Sequence, residues 1–407
     1  MKKRTIEIMD TTLRDGEQTS GVSFSVAEKL ALSKLLLEEL KVDRIEIASA
    51  RVSEGEMNSV REVTQWAQSS GHYNRIEILT FLDGGTSIDW MIQSGAKVQN
   101  LLTKGSINHL KHQLKKKPDQ HFKAIEENIL AAKKEGITTN VYLEDWSNGM
   151  RNSPDYVKDY LSFISKLPVK RVLLPDTLGV LTYFETFSFI SKVIKNHPQI
   201  HFDFHGHNDY DLSVANTMEA VRAGCQGLHL TVNGMGERAG NTPMASTVAA
   251  LKDFLPGIEI NINESSLHKV SKLVATFTGF RIPVNKPVVG QNVFTQTAGI
   301  HADGDKKKNL YFNDLLPERF GRTREYALGK TSGKANIQKN LQKLGITLND
   351  EEIKKVTQRI IELGDKKEIV TTEDLPYIIS DVLNSDIEQK VKVNSYVLTH
   401  AKGLQPN

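Results

Sequence analysis

Hydrophobic positions over the first 250 residues follow two alternating periods. Short apolar or β-branched runs recur as TIEIMD (5–10), RIEIAS (44–49), RIEILTF (75–81), VQNLL (98–102), NVYLE (140–144), RVLLPD (171–176), IHFDFH (200–205) and GLHLTV (227–232), and each predicts a strand. The stretches between them have helical spacing, as in SVAEKLALSKLLLEEL (25–40), HFKAIEENILAAKKEG (121–136) and SPDYVKDYLSFISKL (153–167). Ser25 stands where an N-cap belongs, and Gly71, Gly136 and Gly224 stand where helices stop. Strands alternating with helices in this way require parallel strands joined by crossovers. Eight such units in about 250 residues is the size of a (β/α)8 TIM barrel. A doubly wound open sheet would carry a glycine-rich loop after its first strand. Here that strand runs into DTTLRDGEQ, with a single glycine. The fold class is therefore α/β, a TIM barrel over residues 1–278 followed by small, mainly helical C-terminal subdomains.

Past residue 278 the alternation ends. Residues 279–325 are polar and loop-like and are expected to form a linker or lid. Three helices are predicted at 331–346, 350–367 and 372–384, giving a helical subdomain over 326–385. The tail, 386–407, holds one candidate strand in QKVKVNSYVLTHA and is expected to be the stub of a further domain. One strand cannot bury a face by itself, so no effector pocket is expected there.

Composition narrows the class. The 407 residues are 39 % hydrophobic and 25 % charged, ordinary for a globular chain. A net charge of +3 is too small to argue for nucleic acid. The one cysteine, Cys225, precludes an intrachain disulfide and suits a reducing compartment. The start, MKKRTIEIMD, lacks the apolar core of a secretory signal, and no run of about 18 apolar residues offers a membrane span. A cytoplasmic location is expected. The basic runs at 111–120 and 305–308 read as solvated surface, and Cys225 as structural.

In a TIM barrel the chemistry gathers at the C-terminal strand ends. Those ends supply Arg14 and Asp15, Glu46, Tyr142, Glu144 and Asp145, Asp176 and Thr177, His205 and His207, and finally Asn233, Glu237, Arg238 and Asn241. His205 and His207, two apart on one strand, point the same way. Strands one and seven are close neighbours around the ring, so Asp15 can face the same point. Two imidazoles and one carboxylate with open positions form a site for a catalytic divalent cation. Arg14 suits an anion or oxyanion contact. The glycine-rich loop GMGERAGNTP (234–243) suits close backbone approach to a phosphate-bearing ligand.

Three of these segments carry a resemblance. DTTLRDGEQ, HGHND and NGMGERAGNTP are similar to the motifs of the α-isopropylmalate, homocitrate and citramalate synthase family, over residues 5 to 385. Members of that family are metal-dependent barrel enzymes that condense acetyl-CoA with a 2-oxo acid. The resemblance implies Asp15, His205 and His207 as metal ligands, with Asn241 close to the metal or its water. It implies Arg14 at the oxo-acid oxygen and Thr177 at its carboxylate. Glu144, His301, Asp303 and Tyr311 would serve the acetyl-CoA half. From the reading of the glycine-rich loop, Asn233, Gly236, Glu237 and Arg238 are the candidates for binding that co-substrate. In the family the 279–325 region reaches over a partner's barrel, which implies a homodimer. His301 is the candidate base and Glu144 the second choice. The cation, zinc, manganese, cobalt or magnesium, is not fixed by these ligands.

The oxo acid is read from strand five. Where isopropylmalate synthases resemble a Ser-x-Glu-Asp pattern, this chain has Tyr142-Leu143-Glu144-Asp145. A tyrosine there, with Leu79 and Leu102, leaves room for a methyl group and none for an isopropyl group. The segments VYLEDWSNG and TAGIHADGDKK also resemble the citramalate branch. Pyruvate is therefore expected, with 2-oxoisovalerate (or the homocitrate reaction) as the alternative. Barrel lyases acting on acyl-CoA share the Arg-Asp and His-x-His pattern but carry a cysteine in the strand-eight loop, which 233–243 lacks. A non-catalytic metal-binding protein would have no need of the Arg14, Thr177 and Glu144 cluster. Regulatory domains of the family bind end-product amino acids. With only a stub at 386–407, insensitivity to isoleucine and leucine is expected.

Overall fold

The computed structural model describes residues 3–299, 303, 310 and 313–384. Eight parallel strands close a barrel in sequence order: β1 (Glu7–Asp10), β2 (Arg44–Ser49), β3 (Ile76–Phe81), β4 (Val98–Lys104), β5 (Thr138–Glu144), β6 (Val169–Asp176), β7 (Phe202–Gly206) and β8 (Gly227–Leu230). The ring closes where β8 pairs with β1, Glu7 opposite Gly227 through Asp10 opposite Leu230. Every expected strand is present. The first is split, because Arg4–Thr5 leaves the barrel to pair with Ile258–Glu259. The eighth stops at Leu230, since Thr231 turns to Thr242 and Asn233 takes a left-handed φ of 60°.

Local chemistry sets the helices. Ser25 and Glu28 form a reciprocal capping box at the start of Val26–Lys34. That helix widens to π geometry over Leu35–Leu40, burying Leu35, Leu36, Leu37 and Leu40. Pro118 opens Pro118–Lys134 from the first turn, so this helix starts earlier than its apolar spacing indicates. Thr182 and Glu185 cap Tyr183–Asn196 in the same reciprocal way.

The barrel interior is polar and charged. Arg44 and Glu46 point inward, while Ile45 and Ile47 between and beside them are fully buried on the helix side. Arg44 Nη1 donates to Glu77 Oε1 at 2.9 Å and Nη2 to Asp203 Oδ2 at 2.5 Å. Asn140 Nδ2 donates to Asn100 Oδ1 (2.9 Å), and Asn100 Nδ2 to Glu46 Oε1 (2.8 Å). Such buried charges are tolerated because each meets its opposite.

Two compact units form, Met1–Val293 with Asp314–Arg322, and Phe294–Asn313 with Thr323–Asn407. In the second, Lys334–Leu344, Asp350–Asp365 and Leu375–Leu383 pack around Ile337, Leu341, Ile353, Val356 and Ile360. Thr295–Gln296 pairs with Glu325–Tyr326, and Asn336 ties both strands to the first helix through the carbonyls of Gln296, Thr297 and Ala327. Residues 386–407 lie outside the described residues. Among the described residues no helix is long and apolar enough to cross a membrane.

Candidate active site

Asp15, His205 and His207 meet at the C-terminal end of the barrel, each buried. One ligand atom from each lies within 4.8 Å of the others. His205 Nε2 stands 3.1 Å from Asp15 Oδ2 and 3.3 Å from His207 Nε2. His205 lies on β7. His207 lies one residue beyond it, held by bridging to Asn241. Burial would raise the Asp15 carboxyl, but Arg14 and His205 hold it well below the usual carboxylate range. Burial pushes His207 down to about 4 against the pull of Asp15. An ionised carboxylate and a neutral imidazole are the states a cation requires of such ligands. Asn241 adds a buried Oδ1 that has no hydrogen-bond partner, while its Nδ2 donates to Met235 O (3.0 Å). A side chain at Gly236 would fall 2.3 Å from Asn241 Nδ2, so only glycine lets the loop lie this close. The donor set fits a divalent cation.

Arg14 is fixed beside this cluster. Its Nε and Nη2 lie 2.7 and 2.6 Å from Glu46 Oε2, and Nη1 lies 3.4 Å from Asp15 Oδ1. Burial would lower the guanidinium, but Asp15 and Glu46 raise it, so it stays charged. A cavity of about 360 Å³ opens over these groups. Its apolar wall is Leu79, Phe81, Leu102, Tyr142 and Pro175, and its polar wall includes Glu144, Thr177, Glu237 and Arg238. Leu79, Tyr142 and Leu173 form one buried cluster against which Phe81 and Leu102 pack.

Glu144, at the end of β5, is ion-paired with Lys104 at the end of β4, and His109 Nδ1 lies 3.8 Å from its other oxygen. Asp145 turns the chain in left-handed geometry, φ 64°. Its N–H donates to Thr177 Oγ1 at 2.9 Å, which brings β6 toward Glu144. Arg238 makes a two-pronged pair with Asp209 (2.7 and 2.9 Å) at the cavity rim, next to exposed Glu237. Asn233 turns away: its Nδ2 donates to Ser271 O (3.0 Å) and its Oδ1 accepts from Ser271 Oγ (2.5 Å). The loop's Gly240, Asn241 and Thr242 N–H groups are taken up by Glu237, Gly234 and Gly206 carbonyls. Asp303 lies in the second unit, lining a separate cavity with Gly299, Thr331 and Lys334. His301 and Tyr311 fall outside the described residues.

A family model described as HMGL-like matches residues 5–274. The chain belongs to the HMGL-like family. A second model, homocitrate synthase post-HMGL domain-like, matches residues 288–368. The putative (R)-citramalate synthase CimA of Methanopyrus kandleri is 33 % identical over 402 residues, covering 98 % of this chain and 77 % of that one. The 2-isopropylmalate synthase of Sulfurisphaera tokodaii is 33 % identical over 394 residues, covering 97 % and 98 %. Among solved structures, the hydroxymethylglutaryl-CoA lyase of Pseudomonas aeruginosa aligns with a TM-score of 0.55 at 19 % identity, over 69 % of this chain and 94 % of that one. At that identity the likeness is one of fold. Family and relatives together make the chain an enzyme of the synthase kind.

Several groups of this HMGL-like site were given no role from the sequence. Glu46 was visible as a polar strand end, but its grip on Arg14 depends on two strands meeting. Lys104 lies two residues past the predicted end of strand four. Phe81 and Leu173 read as ordinary strand residues. Asp10, buried with its carboxyl raised to about 7 by desolvation, accepts from the N–H and hydroxyl of Thr12. Thr12 Oγ1 in turn accepts from Val232 N–H, tying the β1 loop to the β8 loop. His229 lies mid-strand in GLHLTV, where nothing in the pattern marks it.

Proposed function

We propose that this chain condenses acetyl-CoA with pyruvate to give (R)-citramalate and CoA. The observation that carries the reading is the cavity itself. A three-ligand cation cluster and a fixed arginine line it together with Leu79, Leu102 and Tyr142, which narrow it.

A divalent cation held by Asp15, His205 and His207, with Asn241 beside it, would supply Lewis-acid polarisation of the ketone. Arg14, kept charged and immobile by Glu46, faces the oxygen where negative charge develops. Thr177 takes the oxo-acid carboxylate. The base removes a proton from the acetyl methyl group: His301 is assigned that role with Glu144 as second choice, and Asp303 and Tyr311 are assigned to the same acetyl-CoA half. The carbanion attacks the ketone carbon of pyruvate and the alkoxide takes up a proton. Water then hydrolyses the thioester, releasing the thiol of CoA. Glu237 and Arg238 at the rim suit the CoA end. The 279–325 region is assigned to reach a partner subunit's barrel, so the working unit is a homodimer, located in the cytoplasm.

The same-length relative named 2-isopropylmalate synthase supports a second reading, with 2-oxoisovalerate as the acceptor. Both are tested by thiol release from acetyl-CoA with pyruvate, 2-oxoisovalerate and 2-oxoglutarate offered separately. Turnover highest with pyruvate is expected. Preference for either larger acid overturns the assignment.

A further inference from the structure

Tyr142 lines the cavity, and its hydroxyl is engaged by a residue that does not. The hydroxyl lies 2.8 Å from Nδ1 of His229, on β8 across the barrel. His229 Nε2 lies 3.1 Å from Asp203 Oδ2 on β7. The tautomer follows from these partners. Asp203, fully buried, would be raised by desolvation but is held well below the usual carboxylate range by Arg44, so it is ionised and only accepts. His229 Nε2 therefore carries the hydrogen, Nδ1 presents its lone pair, and the Tyr142 hydroxyl is the donor. Asp203 is itself fixed by Arg44 Nη2 at 2.5 Å, and β8 leaves it room only because residue 227 is glycine: a Cβ there would fall 2.1 Å from its Oδ1. The Tyr142 ring, held at its tip, stands edge-on to His205 (5.9 Å, 90°) and to His229 (5.5 Å, 79°).

We propose that His229 is the positioning residue of the oxo-acid pocket. By accepting the Tyr142 phenol hydrogen it pins the ring as an apolar wall that admits a methyl group and excludes larger side chains. The inference rests on the reading of this cavity as an oxo-acid pocket. A tyrosine without that acceptor has a buried hydroxyl to satisfy, and the nearby carboxylates of Glu46 and Asp15 draw it toward the cation cluster, moving the wall. With the tether in place, the ring offers the substrate only carbon. Neither His229 nor Asp203 lines the cavity, so neither touches the acid it helps to select.

The test is the selectivity ratio, kcat/KM for pyruvate over kcat/KM for 2-oxobutanoate, read by thiol release alongside bound-metal content. His229→Leu leaves a hydroxyl that pulls the ring aside, and Tyr142→Phe leaves a ring no longer held at its tip; each removes the tether and should lower the ratio about 10-fold. His229→Asn, whose amide oxygen stands where Nδ1 was, should keep it within about 3-fold of the wild type. In Tyr142→Phe/His229→Leu the losses should not multiply, because both changes delete the same bond. A residue that merely supported the fold would lower melting temperature and total activity while leaving the ratio unmoved. Tyr142→Phe keeps the ring and its packing, so it reports even if His229→Leu fails to fold. A wild-type ratio in Tyr142→Phe, or multiplied losses in the double variant, overturns the proposal. If the wild type prefers 2-oxoisovalerate, the pyruvate assignment falls. The tether is then judged by the same variants on the ratio for that acid.

Discussion

Replacing Glu46 by glutamine isolates what holds Arg14. Glu46 is fully buried, and its Oε2 takes Arg14 Nε (2.7 Å), Arg14 Nη2 (2.6 Å) and Thr11 Oγ1 (2.7 Å), while Oε1 takes Asn100 Nδ2 (2.8 Å). An amide offers one acceptor oxygen and no charge. If that oxygen stays toward Arg14, the new NH₂ opposes Asn100 Nδ2. Asn100 can turn over, and so can Asn140, whose Oδ1 has no partner; the bond from Asn140 Nδ2 to Glu77 (3.3 Å) is then lost. That rearrangement costs about 1 kcal/mol. The lost charge costs more. Removing one member of a buried ion pair costs about 3–5 kcal/mol, and the low end applies because the amide oxygen still accepts from Arg14. Together these come to about 4 kcal/mol, and at about 2 °C per kcal/mol for a domain of this size, melting should fall by about 8 °C at pH 7. The Glu46 carboxyl would be raised by burial, but Arg14, Asn100 and Thr11 lower it below its ordinary 4.5. Its stabilisation is therefore complete above the unfolded value and is lost as pH falls through the folded one. The gap between wild type and Glu46→Gln should be full at pH 7 and narrow below pH of about 4. With Arg14 loosened, kcat/KM should drop about 10²–10³-fold while the bound cation is retained. Calorimetry at both pH values, thiol-release kinetics and elemental analysis read all three. A variant that melts and turns over like the wild type would refute the reasoning.

Asp15→Ala, and His205→Ala with His207→Ala, should abolish turnover and release the cation on dialysis; full metal content in the double histidine variant would sink the ligand assignment. Tyr142→Ser should shift preference toward 2-oxoisovalerate by about 10–200-fold, measured as a ratio of kcat/KM values. Asp10, ordinarily 3.8 and raised to about 7 by burial, keeps a proton in the folded state that the unfolded chain gives up. Stability should therefore fall as pH rises between those values, by at most about 4 kcal/mol, and be flat above. Asp10→Asn should remove that slope in urea titrations, and equal slopes would contradict the cause given.

The eight strands were legible because each sets apolar or β-branched residues against the helices at strand spacing, as Ile45 and Ile47 do, even where the inward positions between them are polar. Their order around the ring followed from the crossover rule. The cation cluster was legible for the same local reason: His205 and His207 share a direction through the spacing of a strand, and Asp15 sits at the end of its neighbour but one. Asn233 shows where such reasoning stops. A polar residue after β8 can face the cavity or the helix behind it, and Ser271, 38 positions away, decides. Glu46 and Arg14, 32 apart, and Tyr142 and His229, 87 apart, are likewise joined only by closure of the barrel. Periodicity fixes the face a side chain occupies. Its partner comes from a strand that the sequence does not place beside it. Whether Tyr142 offers the cavity a hydroxyl or a bare ring depends on a histidine tautomer set by Asp203, and only the assembled interior determines that.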